Sequence, residues 1–308
     1  MAHAVKWIEA DPDEPVVDVA KRSLQARLEP VQYYLPLAAK KSDEDIEHVH
    51  DVRVWSRRAQ AAIEMYWELL PEWRAAWIDK QLKRIRGASN DARDDDVFAR
   101  RLKQDKDTPA AAQLLKRVQA NRVEAQNPIR SVYDRLRRKN RFDRKIARLL
   151  NRVRLRGKKL KSKKPRFGQW APAHLRPVLD EFFESADADL SKVEQLHQFR
   201  IDGKKLRYAL ELLAGAFPVN IRQDIYPNLE TLQDQLGTIN DHAAARARIR
   251  RWIEEADGDR NEIEYLNEML SHEQTLLEQS YNEFNEWWTA KRRNKLQEKF
   301  DEVIAIKV

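Results

Sequence analysis

The stretch LHQFRIDGKKLRYALELL, residues 196–213, combines the apolar pattern of a helix with an unusual concentration of cations. Its apolar residues recur every three or four positions, which is typical of a helix that buries one face. One histidine and four Lys or Arg side chains crowd into this helix, namely His197, Arg200, Lys204, Lys205 and Arg207. Like charges three and four residues apart repel by about a few tenths of a kcal/mol per pair. We therefore expect these cations to serve a purpose other than folding.

The same arrangement occurs 147 residues earlier, in HDVRVWSRRAQAAIEMY at residues 50–66. The corresponding side chains of this first copy are His50, Arg53, Arg57 and Arg58. The register continues on both sides, with Pro30 matching Pro177 and Asp94 matching Asp241. A shared helical pattern would not place prolines, histidines and aspartates in one register. The sequence therefore predicts two copies of one helical unit.

Composition extends the helical prediction to the whole chain. The 308 residues include 42% hydrophobic side chains and only 7 glycines, and Leu, Ala, Arg, Lys and Glu are abundant, as in helices. We predict an all-α fold of two pseudo-symmetric antiparallel helical bundles around a central basic groove. One domain is expected at 15–305, with a first bundle at 15–157, a basic linker at 158–169 and a second bundle at 170–305.

Residues that start or stop helices mark the internal boundaries. Asn90 faces Gly237 across the repeat, and these residue types favour helix ends, so breaks are predicted at 89–91 and 236–238. Asn127-Pro128 predicts a helix start, because proline suits the first turn. The acidic segment from about 259 to 305 is predicted to form one long closing helix.

Composition also excludes several classes of protein. The chain has no cysteine, which removes disulfide frameworks and thiolate metal sites. Its most apolar run, ALELLAGAF at 209–217, is too short to cross a bilayer. We expect a cytoplasmic protein with no membrane segment.

The positive charge is concentrated in one segment. The chain carries a net charge of +8, but residues 130–166 contain 18 Lys or Arg against Asp134 and Asp143. That segment has a net charge of +16, which leaves −8 for the rest of the chain. Concentrated positive charge favours a polyanionic partner.

Helix geometry places many of these cations on shared faces. At 100° per residue, positions three and seven after each histidine lie within about 60° of it. In the predicted helix 129–153, five arginines also share one side, opposite Ile146 and Leu149. Such stripes are either solvated outer faces or the lining of a common groove, and their lack of counter-charge favours the groove. Glu64 and Glu211 fall within the stripes, where we expect them to hold arginines in place.

The candidate polyanion-binding residues therefore come from the two repeats and from the Arg-rich helix. They are His50, Arg53, Arg57, Arg58, His197, Arg200, Lys204, Lys205, Arg207, Arg130, Arg137, Arg141, Arg144 and Arg148.

The two repeats resemble a known family. HxxRxxxRR from His50 and HxxRxxxKKxRYA from His197, each with an aspartate 44 residues after the histidine, resemble the two half-signatures of the CHAD family, the histidine-bearing α-helical domain. The resemblance implies two helical bundles related by a pseudo-twofold axis around a basic channel. It also implies binding of inorganic polyphosphate, often with recruitment to polyphosphate granules. Gln60 replaces Arg207 in the first repeat, so the first half is expected to bind more weakly.

Catalysis is a weaker alternative. His50-Asp51 and Asp241-His242 suggest a metal-dependent phosphohydrolase, but neighbouring residues point to different faces of a helix. No further His/Asp set accompanies them at ligand spacing. We therefore predict no catalytic residue, metal or cofactor.

Nucleic-acid binding is the second alternative. The charge would suit it, but the stripes lack the interleaved aromatic residues that stack on exposed bases. Trp67, Trp73 and Trp77 are predicted to lie in the core or in helix contacts. The lysine-rich segment 158–164 could bind any polyanion nonspecifically.

Overall fold

The structure is a computed structural model, and its described residues fold as helices. It describes residues 5–103, 108–155, 165–256 and 260–305. Within these ranges there is no β-strand, only an isolated antiparallel bridge between Pro15 and Arg166. None of the helices in these ranges is long and apolar enough to cross a membrane. The prediction of an all-α fold is confirmed.

Twelve α-helices span most of the described chain. They are α1 (Val16–Lys40), α2 (Glu47–Met65), α3 (Glu72–Ala88), α4 (Asn90–Leu102), α5 (Pro109–Ala125), α6 (Asn127–Arg137), α7 (Arg141–Leu150), α8 (Phe167–Ala186), α9 (Val193–Leu213), α10 (Tyr226–Glu255), α11 (Arg260–Trp287) and α12 (Ala290–Ala305). Short 3-10 turns occupy Trp67–Leu69, Arg138–Asn140 and Ala214–Ala216, and a π-helical turn occupies Ile221–Ile225.

The main core joins the two helices that carry the histidine motifs. α1 packs along α2, α8 packs along α9, and α2 contacts α9 directly. Val52, Ala59 and Ile63 of α2 are fully buried in this core, as are Phe199 and Leu206 of α9. The apolar face of each helix therefore turns inward, and this packing holds the two copies of the motif beside each other.

A second, smaller core joins the ends of α4 and α10. It contains Phe98 of α4, Leu114 of α5, Ile249 and Trp252 of α10, and Leu266 of α11. The rings of Phe98 and Trp252 lie 5.3 Å apart between centroids. This core positions α4 across from α10.

The helix breaks differ between the two halves. The break predicted at 89–91 is confirmed, because α3 ends at Ala88 and α4 begins at Asn90. The break predicted at 236–238 is wrong, because α10 continues through Gly237. Glycine inside a helix costs about 1 kcal/mol relative to alanine. Burial of Leu236 and Ile239 offsets that cost and keeps the helix continuous.

The C-terminal segment also differs from the prediction. The long closing helix expected from about 259 to 305 is two helices, α11 and α12, with a break at Trp288 and Thr289. The ring of Trp288 packs 5.5 Å from that of Phe199. The hydroxyl of Thr289 accepts a hydrogen bond from the backbone N–H of Arg292 at 3.3 Å, as an N-cap does. This capping starts a new helix.

The Arg-rich segment is likewise interrupted. α6 begins at Asn127 as predicted, but Lys139 and Asn140 adopt left-handed backbone angles, with φ of 52° and 51°, and separate α6 from α7. Asparagine tolerates this conformation better than most residues. The prediction of one continuous helix over 129–153 is wrong, and the five arginines therefore do not form a single stripe.

The linker prediction falls mostly outside the described residues. Residues 158–164 are not among them, and Phe167–Ala186 already forms α8. The last part of the predicted linker, 167–169, is therefore helical. Val16 N–H donates to the carbonyl of Pro165 at 3.1 Å, and Phe167 N–H donates to that of Glu14 at 2.9 Å. These bonds hold the starts of α1 and α8 together.

The tryptophans predicted to lie in the core or in helix contacts are not all buried. Trp73 is 58% exposed and Trp67 is 39% exposed, whereas Trp77 packs half-buried against the core. Trp73 and Trp77 lie on α3, which packs against α6 and α7.

Candidate functional site

Six cations meet where α2, α3 and α9 come together, linked by their mutual electrostatic effects. We call them the central cation cluster, and they are Arg53, Arg57, Arg86, Arg200, Lys204 and Arg207. The charge of Arg57 acts on four of the others: Arg53, Arg86, Arg200 and Lys204. Arg57 therefore connects the cations of the first repeat with those of the second.

Lys204 shows most clearly how crowded this cluster is. Burial, and then the charges of Arg200, Arg57 and Arg207 in that order, lower the pKa of Lys204 to about 7. Among the charges that act most strongly on Lys204, only Asp241 is negative. A half-buried ammonium with so little counter-charge destabilises the free protein and favours an anionic ligand.

Arg53 and Arg86 extend the cluster toward α4. The guanidinium of Arg53 donates to the backbone carbonyl of Arg86 at 2.9 Å and to the side chain of Asn90. Burial, then the charge of Arg57, lowers the pKa of Arg53 to about 10. The same two causes lower the pKa of Arg86. Both guanidinium groups remain protonated at neutral pH, so their charges repel within the cluster.

Two arginines of α9 have unused donors. The Nε atoms of Arg200 and Arg207 are buried and have no hydrogen-bond partner among the described residues. A buried donor without a partner costs about 1–3 kcal/mol. Burial lowers the pKa of Arg200, and Asp241 opposes this effect. An oxyanion entering the cluster would supply the missing acceptors.

The two histidines occupy different environments. His50 is half-buried, and its pKa is lowered by burial, then by the charges of Arg93 and Arg57. His197 is exposed on α9. The repeat places both histidines in the predicted binding stripes, and the structure shows that the charges of Arg57 and Arg53 act on His50.

Arg58 is occupied by a buried carboxylate. Its Nε donates to Glu211 Oε2 at 2.8 Å and its Nη2 donates to Glu211 Oε1 at 3.0 Å. Tyr226 Oη also donates to Glu211, at 2.8 Å, and the buried Arg27 lies 3.7 Å away. Burial disfavours the charged form of Arg58, but the hydrogen bond and the negative charge of Glu211 outweigh this effect and raise the pKa of Arg58. The prediction that glutamates of the stripes hold arginines in place is confirmed for Glu211, and for Glu64 it stays a prediction. Arg58 contributes to the fold.

Lys205 is also paired. Its ammonium donates to the carboxylate of Glu181 on α8, and both side chains are exposed. Lys205 is therefore held toward α8, whereas Lys204 is surrounded by the charges of the cluster arginines.

The structure does not bring the Arg-rich segment into the central cation cluster. Arg130 donates to the carbonyl of Ala39 at 3.3 Å, and Arg137 pairs with Asp134 at 2.7 Å. The remaining three predicted arginines lie exposed on α7, and they are Arg141, Arg144 and Arg148. α6 and α7 pack on α1 and α3, and none of these arginines is among the main charges that act on the cluster. The Arg-rich segment therefore lies outside the set of charges that defines the cluster, and a single groove that includes it stays a prediction.

Sequence reasoning missed Arg86 and Arg93. Arg93 of α4 acts on both His50 and Arg53. The repeat could not identify Arg86, because Gln233 stands at the matching position of the second half. No periodic signal in α3 sets Arg86 apart from Arg84.

An acid-containing cavity adjoins the cluster between α4 and α10. It has a volume of about 490 Å³, and Asp94, Asp241, Arg101 and Arg248 contribute to its lining. Burial raises the pKa of Asp94, although Arg53 and Arg248 oppose this shift. The two aspartates of the repeat, Asp94 and Asp241, therefore lie at the border of the cluster, and their negative charges partly offset those of Arg53 and Lys204.

The two His–Asp neighbours make separate contacts. His242 Nδ1 lies 2.6 Å from a carboxylate oxygen of Glu273, and the pKa of Asp51 is raised by burial and by Glu47. Among the described residues, no group of three His, Asp or Glu side chains could hold a metal ion.

Comparison with known proteins gives a consistent result. The sequence matches the CHAD domain family over residues 22–250. The fold is similar to that of the CHAD domain from the plant Ricinus communis, with a TM-score of 0.66 and 19% identity over 89% of this chain and 91% of that chain. It is also similar to that of PptA from Streptomyces chartreusis, with a TM-score of 0.64 and 17% identity over 89% of this chain and 99% of that chain.

None of the curated proteins compared matches this sequence. At the identities found, the two structures show a shared fold, and the family match covers most of the chain. The two histidine motifs, His50–Arg58 and His197–Ala209, lie within the matched residues. This chain belongs to the CHAD domain family.

Proposed function

We propose that this protein binds inorganic polyphosphate through the central cation cluster and does not chemically transform it. The observation that carries the proposal is the position of Lys204, half-buried among three arginines with Asp241 as its main negative neighbour. Linear polyphosphate carries negative charge along its whole length. It would therefore neutralise several of these cations at once.

The donors of the cluster suit phosphate oxygens. Arginine presents planar, paired donors, and lysine presents a mobile point charge. The free Nε groups of Arg200 and Arg207 would gain charge-assisted hydrogen bonds, which are among the strongest in proteins. The association of the CHAD family with polyphosphate supports the same ligand.

We also propose that the two halves form one domain, 15–305, with a pseudo-twofold axis between α2 and α9. Arg57 and Lys204 occupy matching positions of the repeat and lie close enough for their charges to interact. Such an axis would make the cluster a shared site of both halves. Gln60, at the position matching Arg207, bonds to Asp79 at 2.7 Å, which supports weaker binding by the first half.

The proposed setting is the cytoplasm, with the protein carried on polyphosphate granules.

The test compares two variants by fluorescence anisotropy with labelled polyphosphate at fixed salt. Arg57→Ala combined with Lys204→Ala should weaken binding about 100-fold or more, because it removes two charged donors worth about 1.5–3 kcal/mol each. Lys205→Ala is the matched control, because its ammonium is exposed and paired with Glu181. The control should bind about as tightly as the wild type.

Unchanged binding by the double variant, or an equal loss in the control, would place the site elsewhere. Unlabelled RNA is then added as competitor at the same salt and phosphate concentration. If RNA displaces the labelled polyphosphate as effectively as unlabelled polyphosphate does, nucleic acid is favoured as the ligand of this cluster.

A further inference from the structure

A second basic surface, remote from the central cation cluster, includes exposed aromatic rings. Trp73 of α3 is 58% exposed, the highest value for an aromatic residue in the described ranges. Trp77 lies one turn further along α3 and is half-buried. Arg86 of the cluster is nine residues beyond Trp77, about 13 Å along the helix axis. The two sites therefore lie at different ends of α3.

Basic side chains surround both indole rings. The guanidinium of Arg74 lies 4.0 Å from the ring centroid of Trp73. The ammonium of Lys145 lies 5.2 Å from the ring of Trp73 and 5.5 Å from that of Trp77. Arg141 lies 5.4 Å from the ring of Trp77. We call these five residues the tryptophan surface.

The charge of this surface continues along α7. Arg144 and Arg148 are exposed on the same helix as Arg141, and neither forms an ion pair with a described carboxylate. Asp143, the acidic residue between Arg141 and Arg144, accepts a hydrogen bond from Gln32 at 2.6 Å. The tryptophan surface therefore carries excess positive charge beside an exposed ring.

This combination favours single-stranded nucleic acid over polyphosphate. Polyphosphate has no ring, so an exposed indole would add nothing to its binding. Exposed bases stack on aromatic side chains while basic residues hold the phosphates, the arrangement found in single-strand binding proteins. The Cα atoms of Trp73 and Trp77 are about 6 Å apart along the helix axis, which would let two neighbouring bases use the two rings.

We propose that the tryptophan surface binds single-stranded nucleic acid, with a base stacked on Trp73 and phosphates held by Arg141, Lys145 and the exposed arginines of α7. The proposal is independent of polyphosphate binding by the central cation cluster. It requires no residue of that cluster, and the two sites should respond to different substitutions.

The test uses the full chain and a labelled oligothymidylate of about ten nucleotides, within the usual range of site sizes. Trp73→Ala should weaken its binding about 5- to 150-fold, as expected for loss of one stacked base. Trp67→Ala, which alters another exposed tryptophan, is the matched control and should leave the affinity unchanged. Trp73 is exposed, so its replacement should not unfold the chain, and thermal melting verifies this.

Two further ligands separate this site from the central cation cluster. Polyphosphate and a duplex of the same length should bind Trp73→Ala as tightly as the wild type, because neither offers an unstacked base. The proposal is overturned by unchanged oligothymidylate binding in Trp73→Ala, by an equal loss in Trp67→Ala, or by an equal loss with duplex or polyphosphate. It is also overturned if Arg57→Ala with Lys204→Ala abolishes oligothymidylate binding, because the strand would then occupy the cluster.

Discussion

Polyphosphate should bind more weakly as the pH rises from about 6 to about 8, and Lys204 should be the main cause. Burial and the neighbouring arginines lower the pKa of Lys204 to about 7 in the free protein, from about 10.4 in an unfolded chain. A bound phosphate would supply the missing negative charge and return Lys204 to its protonated form. Above about pH 7, binding must therefore take up a proton, and this requirement weakens it.

The size of the effect follows from the protonated fraction of the free site. With a pKa of about 7, about 90% of Lys204 is protonated at pH 6 and about 10% at pH 8, so the affinity should fall about tenfold. Lys204→Arg should remove most of this dependence, because a guanidinium stays protonated throughout the range. The pKa of His50 lies below its usual value, so its contribution should be confined to the acid end.

The assay is fluorescence anisotropy with labelled polyphosphate at constant ionic strength, repeated at several pH values. His50→Gln is run beside Lys204→Arg, so that the acid-end contribution of the histidine can be subtracted. A wild-type affinity that does not change with pH would refute the reasoning. So would a Lys204→Arg variant that keeps the full tenfold fall.

Three other expectations follow from the contacts around the site. Glu211→Gln should lower the free energy of unfolding by about 3–5 kcal/mol, measured by urea denaturation, because it leaves buried cations unpaired; Glu64→Gln, at the matching exposed position, should cost less than about 1 kcal/mol. A comparable loss in both variants would contradict this. Lys204→Met should stabilise the free protein by about 1–4 kcal/mol at about pH 6. The gain should shrink as the pH rises from about 7 toward 10.4, because the folded-state pKa lies below the unfolded one, and thermal melts that show no such trend would rule it out. Arg144→Ala with Arg148→Ala should leave polyphosphate affinity within about twofold, and a large loss would return α7 to the site.

Much of the fold and part of the site could be predicted from periodicity. Apolar spacing identifies the helices, and the 147-residue offset marks Arg57 and Lys204 as matching positions. The stripe on α9 correctly groups Arg200, Lys204 and Arg207, because residues three and four apart on one helix are always neighbours. These features are local, so they do not depend on the rest of the fold.

Pairing between distant residues could not be predicted in the same way. Arg58 and Lys205 occupy matching positions of the repeat. Arg58 nevertheless forms an ion pair with the buried Glu211, whereas Lys205 forms one with the exposed Glu181. Gly237 is predicted to end a helix, but α10 continues through it, because the neighbouring Leu236 and Ile239 are buried. A partner is selected by which helices come into contact, and that selection involves residues far apart in the chain.

The sequence by itself therefore determined the helical class, the duplication and the face on which each cation lies, because these depend on spacing along one helix. Only the tertiary structure decided which of those cations meet. It adds Arg86 to the central cation cluster and pairs Arg58 with Glu211. It also places the arginines of α7 outside the cluster, near the exposed Trp73. The physical reason is that burial and electrostatic coupling depend on distances between helices, and helical periodicity carries no information about those distances.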